Sequence, residues 1–122
     1  RILIVDDSEL IREKIMSVFD NNMDDDLELL SASNGLEGIE LQMKTPFDLI
    51  ITDLIMPKME GIEFIRRIRK SNPQTKIIAM TGSHNFYLEI ADKLGADRQL
   101  SKPFNESQLL TLSHQLLYQA NA

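Results

Sequence analysis

The sequence predicts a doubly wound α/β fold, in which helices cover both faces of a parallel sheet. Five short strand-like segments alternate with five longer segments whose apolar residues recur at helical spacing. Such alternation is typical of consecutive β–α units and therefore of a parallel sheet. The strand-like segments at residues 2–5, 47–52 and 76–81 are largely apolar rather than alternating, as a sheet buried on both faces requires.

The first two β–α units are marked by apolar runs and by helix caps. Residues 2–5 form the first strand, and Ser8 is a suitable N-cap for the helix that follows. Residues 27–32 form a second strand that is interrupted by Glu28. Asn34 and Glu37 have the spacing of a capping box, which predicts the start of the second helix.

The remaining units follow the third strand, at residues 47–52. A third helix carries its isoleucines on one face, and a fourth helix over residues 85–94 ends before Gly95. A short fifth strand is predicted at residues 98–101. Asn105 and Gln108 form a second capping box, which opens a helix whose core stripe we expect to be Leu109, Leu112 and Leu116.

Composition restricts the classes of function. A chain of 122 residues with 43% hydrophobic and 26% charged residues is typical of one globular domain, and we expect it to span residues 1–122. The absence of cysteine excludes a disulfide framework and thiolate metal sites. A net charge of -6 argues against direct contact with nucleic acid.

The location of the protein is predicted from what the sequence lacks. No apolar stretch is long enough to insert into a membrane, and no signal peptide is visible, so we expect a cytoplasmic protein. The chain begins at Arg1 without an initiator methionine, so we expect native residues before it.

Two charged runs have ordinary structural explanations. The basic run at residues 66–70 is interpreted as a solvated helix end, where cations meet the negative end of the helix dipole. The run Asp24-Asp25-Asp26 is interpreted as a solvated loop, because it lacks the spaced ligands and the glycine of a calcium-binding EF-hand.

Reactive side chains follow four of the predicted strands. Asp6 and Asp7 follow the first strand, Asp53 the third, Thr81 closes the fourth and Lys102 follows the fifth. In an open α/β sheet, functional sites form outside the carboxyl ends of the strands. If the first and third strands are neighbours, three carboxylates crowd together, which is costly unless a cation joins them. Mg²⁺ meets this demand because it binds a few carboxylates together with water and phosphate oxygens.

Four segments of the sequence resemble the receiver domain of bacterial response regulators. They are Val5-Asp6-Asp7, the D-x-x-M-P-x-M-x-G stretch that begins at Asp53, Met80-Thr81-Gly82, and Ser101-Lys102-Pro103-Phe104. The resemblance covers nearly the whole chain. It implies a flavodoxin-like fold of five β–α units, with the strands of the parallel sheet in the order 2-1-3-4-5. It also implies a cis peptide bond between Lys102 and Pro103.

The resemblance implies a role for each of the acidic residues. Asp53 would accept a phosphoryl group from a phosphohistidine of a histidine kinase or phosphotransfer protein, with Mg²⁺ as cofactor. Asp7 would bind the metal directly, and Asp6 would hold it largely through water. Asp53 and the backbone carbonyl of Ile55 would supply further metal oxygens.

The phosphoryl oxygens would be bound by other groups. Thr81 would donate its hydroxyl to one oxygen and Lys102 would pair with another, while the backbone N–H groups of Ile55 and Gly82 would be further donors. Phosphoryl transfer depends mainly on positioning and charge stabilisation, which such a set of groups supplies. The chain would then be a stoichiometric phospho-acceptor rather than an enzyme, and phosphorylation would switch its binding to a downstream protein.

Three features depart from the family pattern or add to it. Gln99 stands three residues before the lysine, where the family has an aromatic residue that reports on Thr81. The fifth helix carries no charged residue from 107 to 118, and Leu110 and Leu117 lie off its expected core stripe. His84 is either an ordinary loop residue or a contact to the phosphoryl group, and His114 is predicted to lie on the surface.

Three other functions remain as alternatives. A Mg²⁺-dependent aspartyl phosphohydrolase would have an acid two residues after its nucleophile, where this chain has Ile55. A nucleotide-binding domain would have G-x-G-x-x-G in the first turn, where this chain has Asp6-Asp7-Ser8. A degenerate receiver would act only as a binding module, which the intact reactive set disfavours. The partner kinase, the output and the oligomeric state are not specified by the sequence.

Overall fold

A computed structural model describes residues 1–23, 26–56, 59–82 and 85–118, and of residues 85–88 it describes the backbone alone. Ten elements alternate strictly along the chain. They are β1 (Ile2–Val5), α1 (Glu9–Asn22), β2 (Leu29–Ala32), α2 (Gly35–Lys44), β3 (Leu49–Asp53), α3 (Gly61–Ser71), β4 (Lys76–Thr81), α4 (Asn85–Leu94), β5 (Arg98–Ser101) and α5 (Glu106–Tyr118). Asp24, Asp25 and His84 lie outside the described residues, so their predicted roles stay predictions.

The five strands form one parallel sheet in the order β2-β1-β3-β4-β5, which confirms the expected fold. The central strands β1 and β3 are buried along their whole length. Successive side chains of a strand point to opposite faces. Ile2 and Ile4 of β1 therefore pack on one face, whereas Leu3 and Val5 pack on the other.

Helices cover both faces of the sheet. The face of Ile2 and Ile4 is covered by α1 and α5, with Phe19 as the largest fully buried side chain. The opposite face is covered by α2, α3 and α4, with Phe64 in the corresponding position. No helix in the described part of the chain is both long and apolar enough to span a bilayer.

The helix ends follow the predicted signals. Ser8 caps α1 by accepting from the N–H of Ile11, and Asn105 and Gln108 form both bonds of a capping box. At α2, the N–H of Glu37 donates to Oδ1 of Asn34, and the Glu37 carboxylate accepts from the N–H of Ser33. Gly95 follows α4 with a φ of 110°, a left-handed conformation that favours glycine.

The predicted boundaries of two strands and the core stripe of α5 need correction. β2 and β3 each begin two residues later than expected, and β3 extends through Asp53, so the reactive carboxylate belongs to the last residue of that strand. Only Leu109 and Ser113 of α5 are fully buried. The other leucines of α5 are half-buried against the same core, including both that lie off the expected stripe. Helical spacing alone therefore did not distinguish core leucines from exposed ones. These half-buried residues are Leu110, Leu112, Leu116 and Leu117.

Candidate functional site

The register of the sheet brings the predicted acidic residues together. Val5 of β1 pairs with Thr52 of β3, so the residues that follow them, Asp6 and Asp53, lie side by side at the carboxyl edge. One carboxylate oxygen from each of Asp6, Asp7 and Asp53 lies within 4.8 Å of the others. We call this group, together with Thr81 and Lys102, the carboxylate pocket.

Glycine at position 61 allows β3 to end where it does. A Cβ atom there would lie 2.1 Å from the carbonyl oxygen of Asp53 and 2.5 Å from the Cα of Leu54. The first turn of α3 therefore packs directly on the backbone that carries the central carboxylate. Any larger residue at position 61 would displace that backbone, so Gly61 fixes the position of Asp53.

The side chain of Asp53 is held by backbone donors on one side and faces a cation on the other. Its Oδ1 accepts from the N–H groups of Leu54 at 2.8 Å and Ile55 at 3.4 Å. Its Oδ2 lies 3.5 Å from Nζ of Lys102. Only 7% of the residue is exposed. Burial raises the pKa of Asp53, the Lys102 ammonium opposes the rise, and the nearby Asp6 carboxylate adds to it.

Lys102 pairs more closely with Asp6 than with Asp53. Its Nζ donates to Oδ2 of Asp6 at 2.8 Å, and Asp6 is 1% exposed. Burial disfavours the ammonium, yet the hydrogen bond to Asp6 and the charges of Asp53 and Asp6 outweigh it and raise the pKa of Lys102. The Lys102-Pro103 peptide bond is cis, which confirms that prediction.

The two aspartates after β1 differ in their surroundings. Asp6 is enclosed: Oδ1 accepts from the N–H of Ser8 at 2.9 Å, and its main-chain oxygen accepts from Nη1 of Arg12 at 2.6 Å. Asp7 is exposed, and its side chain makes no hydrogen bond or ion pair to another described residue. Sequence reasoning identified Ser8 only as a cap and did not identify Arg12 at all.

Thr81 and Gly82 occupy the positions that the sequence predicted. Asp53 pairs with Met80 across the sheet, so Thr81 lies one residue beyond the carboxylate on the neighbouring strand. The hydroxyl of Thr81 is buried and has no hydrogen-bond partner in the described part of the chain. Gly82 is exposed and lies against the side chain of Lys102, because a Cβ there would be 3.6 Å from the Cβ of Lys102.

A divalent cation suits this pocket. Three carboxylates lie close together beside one ammonium, and burial together with the Asp6 charge raises the pKa of Asp53, so its charged form is disfavoured in the protein alone. The carboxylate donors are all oxygen, which suits a hard cation. The described residues that can hold such a cation are Asp6, Asp7 and Asp53.

Three features outside the pocket were also predicted. Gln99 of β5 is half-buried and donates from Nε2 to Oδ1 of Asp92 on α4 at 3.1 Å, so the amide links these two elements. His114 is exposed, as predicted, and its ring lies 4.7 Å from that of Tyr118. Within the basic run, Arg69 departs from the prediction of a solvated end, because it is half-buried and forms an ion pair with Asp97.

Comparison with known proteins agrees with the geometry. A family profile described as "Response regulator receiver domain" matches residues 2–114. Among curated proteins, the chain is 32% identical over 112 residues to the transcriptional regulatory protein DltR of Streptococcus agalactiae, covering 90% of this chain and 48% of that protein. It is 35% identical over 112 residues to the response regulator ArlR of Staphylococcus saprophyticus, covering 90% and 49%. The chain thus spans about half the length of these relatives.

Solved structures of related proteins resemble this chain in both fold and sequence. The chemotaxis protein CheY4 of Vibrio cholerae is 31% identical with a TM-score of 0.84, over 95% of this chain and 97% of that one. A response regulator receiver domain protein from Clostridium thermocellum is 30% identical with a TM-score of 0.85, over 95% and 92%.

Proposed function

Because the chain belongs to the response regulator receiver domain family, we propose that Asp53 accepts a phosphoryl group from a phosphohistidine of a histidine kinase or phosphotransfer protein. The observation that carries the proposal is the position of this carboxylate, buried at the end of β3 between two other aspartates and Lys102. The protein would act in the cytoplasm as a component of a two-component or phosphorelay system.

The residues of the pocket have different roles in the phosphoryl transfer. A carboxylate oxygen of Asp53 attacks phosphorus, and a P–O bond forms as the P–N bond to the donor histidine breaks. The electron pair of that bond goes to the leaving imidazole. Backbone N–H groups hold Oδ1 of Asp53, which orients the carboxylate before the donor arrives. Lys102 supplies a positive charge for the phosphoryl oxygens.

The cation that we propose for the pocket is Mg²⁺. Asp6, Asp7 and Asp53 would hold it, with the carbonyl oxygen of Ile55 as a further ligand. When bound, it supplies positive charge that offsets the charge on the phosphoryl oxygens. Nζ of Lys102 donates a hydrogen bond to the Asp6 carboxylate, so a cation bound at Asp6 would free the ammonium to pair with the phosphoryl group.

Thr81 connects phosphorylation to a change of shape. Its hydroxyl is a buried donor without a partner among the described residues, so it gains a hydrogen bond if it reaches a phosphoryl oxygen. Movement of Thr81 carries the chain after β4 with it, and the backbone N–H of Gly82 becomes a further donor. From α4 the change reaches β5 through the Asp92–Gln99 bond, which here takes the place of an aromatic contact.

The partners follow from the same reasoning. The chain would bind a histidine kinase or phosphotransfer protein as donor and a downstream protein as target. Relatives such as DltR are named transcriptional regulators, but this chain covers about half of their length and has a net charge of -6. Direct contact with nucleic acid would therefore fall to other parts of a longer protein.

A phosphodonor experiment tests the function. Incubation with acetyl phosphate and Mg²⁺ should add one phosphoryl group per chain, and chelation of the metal should prevent it. Asp53→Asn should abolish the labelling, whereas Asp20→Asn, which removes an exposed carboxylate of α1, should leave it intact. Equal labelling of Asp53→Asn, located elsewhere by mass spectrometry, would contradict the assignment.

The same experiment separates the two other classes of function. A stoichiometric acceptor releases about one equivalent of acetate as it takes up its label, and inorganic phosphate appears only as that label hydrolyses. A phosphohydrolase instead releases inorganic phosphate continuously from the donor. A degenerate receiver would take up no label. We expect one equivalent, because the pocket holds a nucleophile but the position two residues later is Ile55 rather than an acid.

A further inference from the structure

Arg12 occupies an unusual position for an arginine. It lies in the first turn of α1, where the positive end of the helix dipole disfavours a cation. Its side chain turns back past the N-cap, and Nη1 donates to the main-chain oxygen of Asp6 at 2.6 Å. The helix dipole does not favour this placement, so the contact to Asp6 is the feature that needs explanation.

That carbonyl oxygen controls the orientation of the next residue. A peptide unit is planar, so a donor that fixes the oxygen of Asp6 also fixes the plane that contains the nitrogen of Asp7. The Cα of Asp7 lies in the same plane, so the position from which its side chain extends is fixed as well. Arg12 therefore sets the path of the backbone through the two acidic residues.

The two aspartates depend on this contact to different degrees. The carboxylate of Asp6 has two partners of its own, the N–H of Ser8 at one oxygen and Nζ of Lys102 at the other. The carboxylate of Asp7 is exposed and has no side-chain partner among the described residues. Its place within 4.8 Å of the other two carboxylates is therefore set by the backbone.

We propose that Arg12 is a positioning residue for the cation site, which holds the Asp6–Asp7 peptide so that the exposed Asp7 carboxylate faces the other two. The inference rests on the proposed function, since it assumes that the pocket binds Mg²⁺. It assigns to Arg12 no contact with the cation or the phosphoryl group.

Geometry and charge predict opposite results when Arg12 is neutralised. If Arg12 acts only as a nearby positive charge, its removal lowers the repulsion of a divalent cation and Mg²⁺ binds more tightly. If Arg12 positions Asp7, its removal releases a ligand and Mg²⁺ binds more weakly. Loss of a group that orients a metal ligand commonly costs about tenfold or more in affinity.

Arg98 offers a matched control. Its Nη1 donates to the main-chain oxygen of Asp97 at 2.7 Å, so Arg98→Met removes one charge and one bond to a main-chain carbonyl, as Arg12→Met does. Arg98 begins β5 and lies at the opposite edge of the sheet from the carboxylates.

Calorimetric titration with MgCl₂ tests the proposal on the full chain. We expect Arg12→Met to weaken Mg²⁺ binding about tenfold and Arg98→Met to leave it unchanged, at similar melting temperatures of the metal-free variants. Arg12→Lys keeps a hydrogen-bond donor and should recover most of the Mg²⁺ affinity. This variant also keeps the test possible if Arg12→Met does not fold. Unchanged or tighter binding by Arg12→Met overturns the role of Arg12 while the proposed function stands. Absence of Mg²⁺ binding by the wild-type chain overturns both.

A second measurement does not need the metal. In the metal-free protein, Arg12→Met should shift the NMR amide signals of Asp7 and Ser8 while the signal of Leu54, next to Asp53, stays in place. Signals of Asp7 and Ser8 that are the same in the variant and the wild type would overturn the proposal.

Discussion

Polar side chains lie at both ends of the strands, which we call the amino edge and the carboxyl edge of the sheet. The two groups differ in how many hydrogen-bond and ion-pair partners they have. At the amino edge, Arg69 and Asp97 form an ion pair at 2.6 Å, and Asp97 also accepts from the N–H of Ile77. Nearby, the buried Thr75 accepts from Gln42 and donates to the oxygen of Phe47. We call these four residues, Arg69, Asp97, Gln42 and Thr75, the paired cluster.

The carboxylate pocket lies at the carboxyl edge, and not all of its polar groups have a hydrogen-bond or ion-pair partner. Asp6 and Asp53 share Lys102, while the Asp7 carboxylate and the buried Thr81 hydroxyl have no partner in the described part of the chain. Buried polar groups are normally paired because an unpaired one costs free energy. The two edges therefore differ in pairing: the polar groups of the paired cluster satisfy one another, whereas the carboxylate pocket contains groups without partners among the described residues.

The largest expected difference between the edges concerns phosphorylation. Lys102→Met removes the cation that faces Asp53, and we expect phosphorylation by acetyl phosphate to slow about a hundredfold. Arg69→Met should leave the rate unchanged, although it should lower the free energy of unfolding by about 2 kcal/mol through the loss of its bonds to Gly95 and Asp97. Rates from quenched time courses and urea melts check both, and equal rates for the two variants would contradict the comparison.

The two buried threonines provide an isosteric test. Thr75→Val removes a hydroxyl with two partners and leaves the Gln42 amide unpaired, so it should cost about 2 kcal/mol of unfolding free energy. Thr81→Val removes a hydroxyl without a described partner, so we expect a change of less than about 0.5 kcal/mol. Labelling of Thr81→Val should persist, but the NMR shifts that beryllofluoride induces in α4 and β5 should be lost. A large destabilisation by Thr81→Val would mean that its hydroxyl is already paired.

Neutralising one aspartate at each edge should change stability in opposite directions. Burial and Asp6 raise the pKa of Asp53, so its charge is unfavourable in the metal-free protein and Asp53→Asn should raise the free energy of unfolding. Asp97→Asn removes the partner of Arg69 and should lower it by about 1 kcal/mol. Chemical denaturation with a chelator present measures both, and a loss of stability in Asp53→Asn would contradict the comparison.

The pH dependence of that difference is the smallest expected effect. A raised folded-state pKa means that Asp53 binds more protons folded than unfolded between its ordinary pKa of 3.8 and its raised value. Its contribution to stability therefore falls as pH rises through that window. The advantage of Asp53→Asn over the wild type should be full above the raised pKa and should vanish below the ordinary one. A gap that stays constant with pH would show that the pKa of Asp53 is unshifted.

Much of the fold could be predicted because its signals are local. Apolar runs, Ser8 as a cap and the capping box at Asn105 depend on neighbouring residues, and each predicted element was found, although β2 and β3 begin two residues later than expected. The end of β3 was placed one residue early, since Asp53 is polar and only its pairing with Met80 keeps it in the sheet. The exposure of the leucines on α5 was also misjudged, because both sides of that helix contact the core.

The candidate site was predicted less evenly. The reactive residues stand at the ends of strands, so the sequence by itself determined that Asp6, Asp53, Thr81 and Lys102 would meet if those strands were parallel neighbours, as they are. The tertiary structure alone decided that Lys102 pairs with Asp6 rather than equally with Asp53, and that Asp7 stays exposed.

The contact of Arg12 with the Asp6 carbonyl is also a feature that the tertiary structure alone decided. It depends on how α1 leaves the end of β1, and no spacing in the sequence encodes that direction. Strand and helix periodicities are properties of the local backbone, and they therefore appear in the sequence itself. Distances between charged groups from different elements depend on how those elements pack, so only the folded chain sets them.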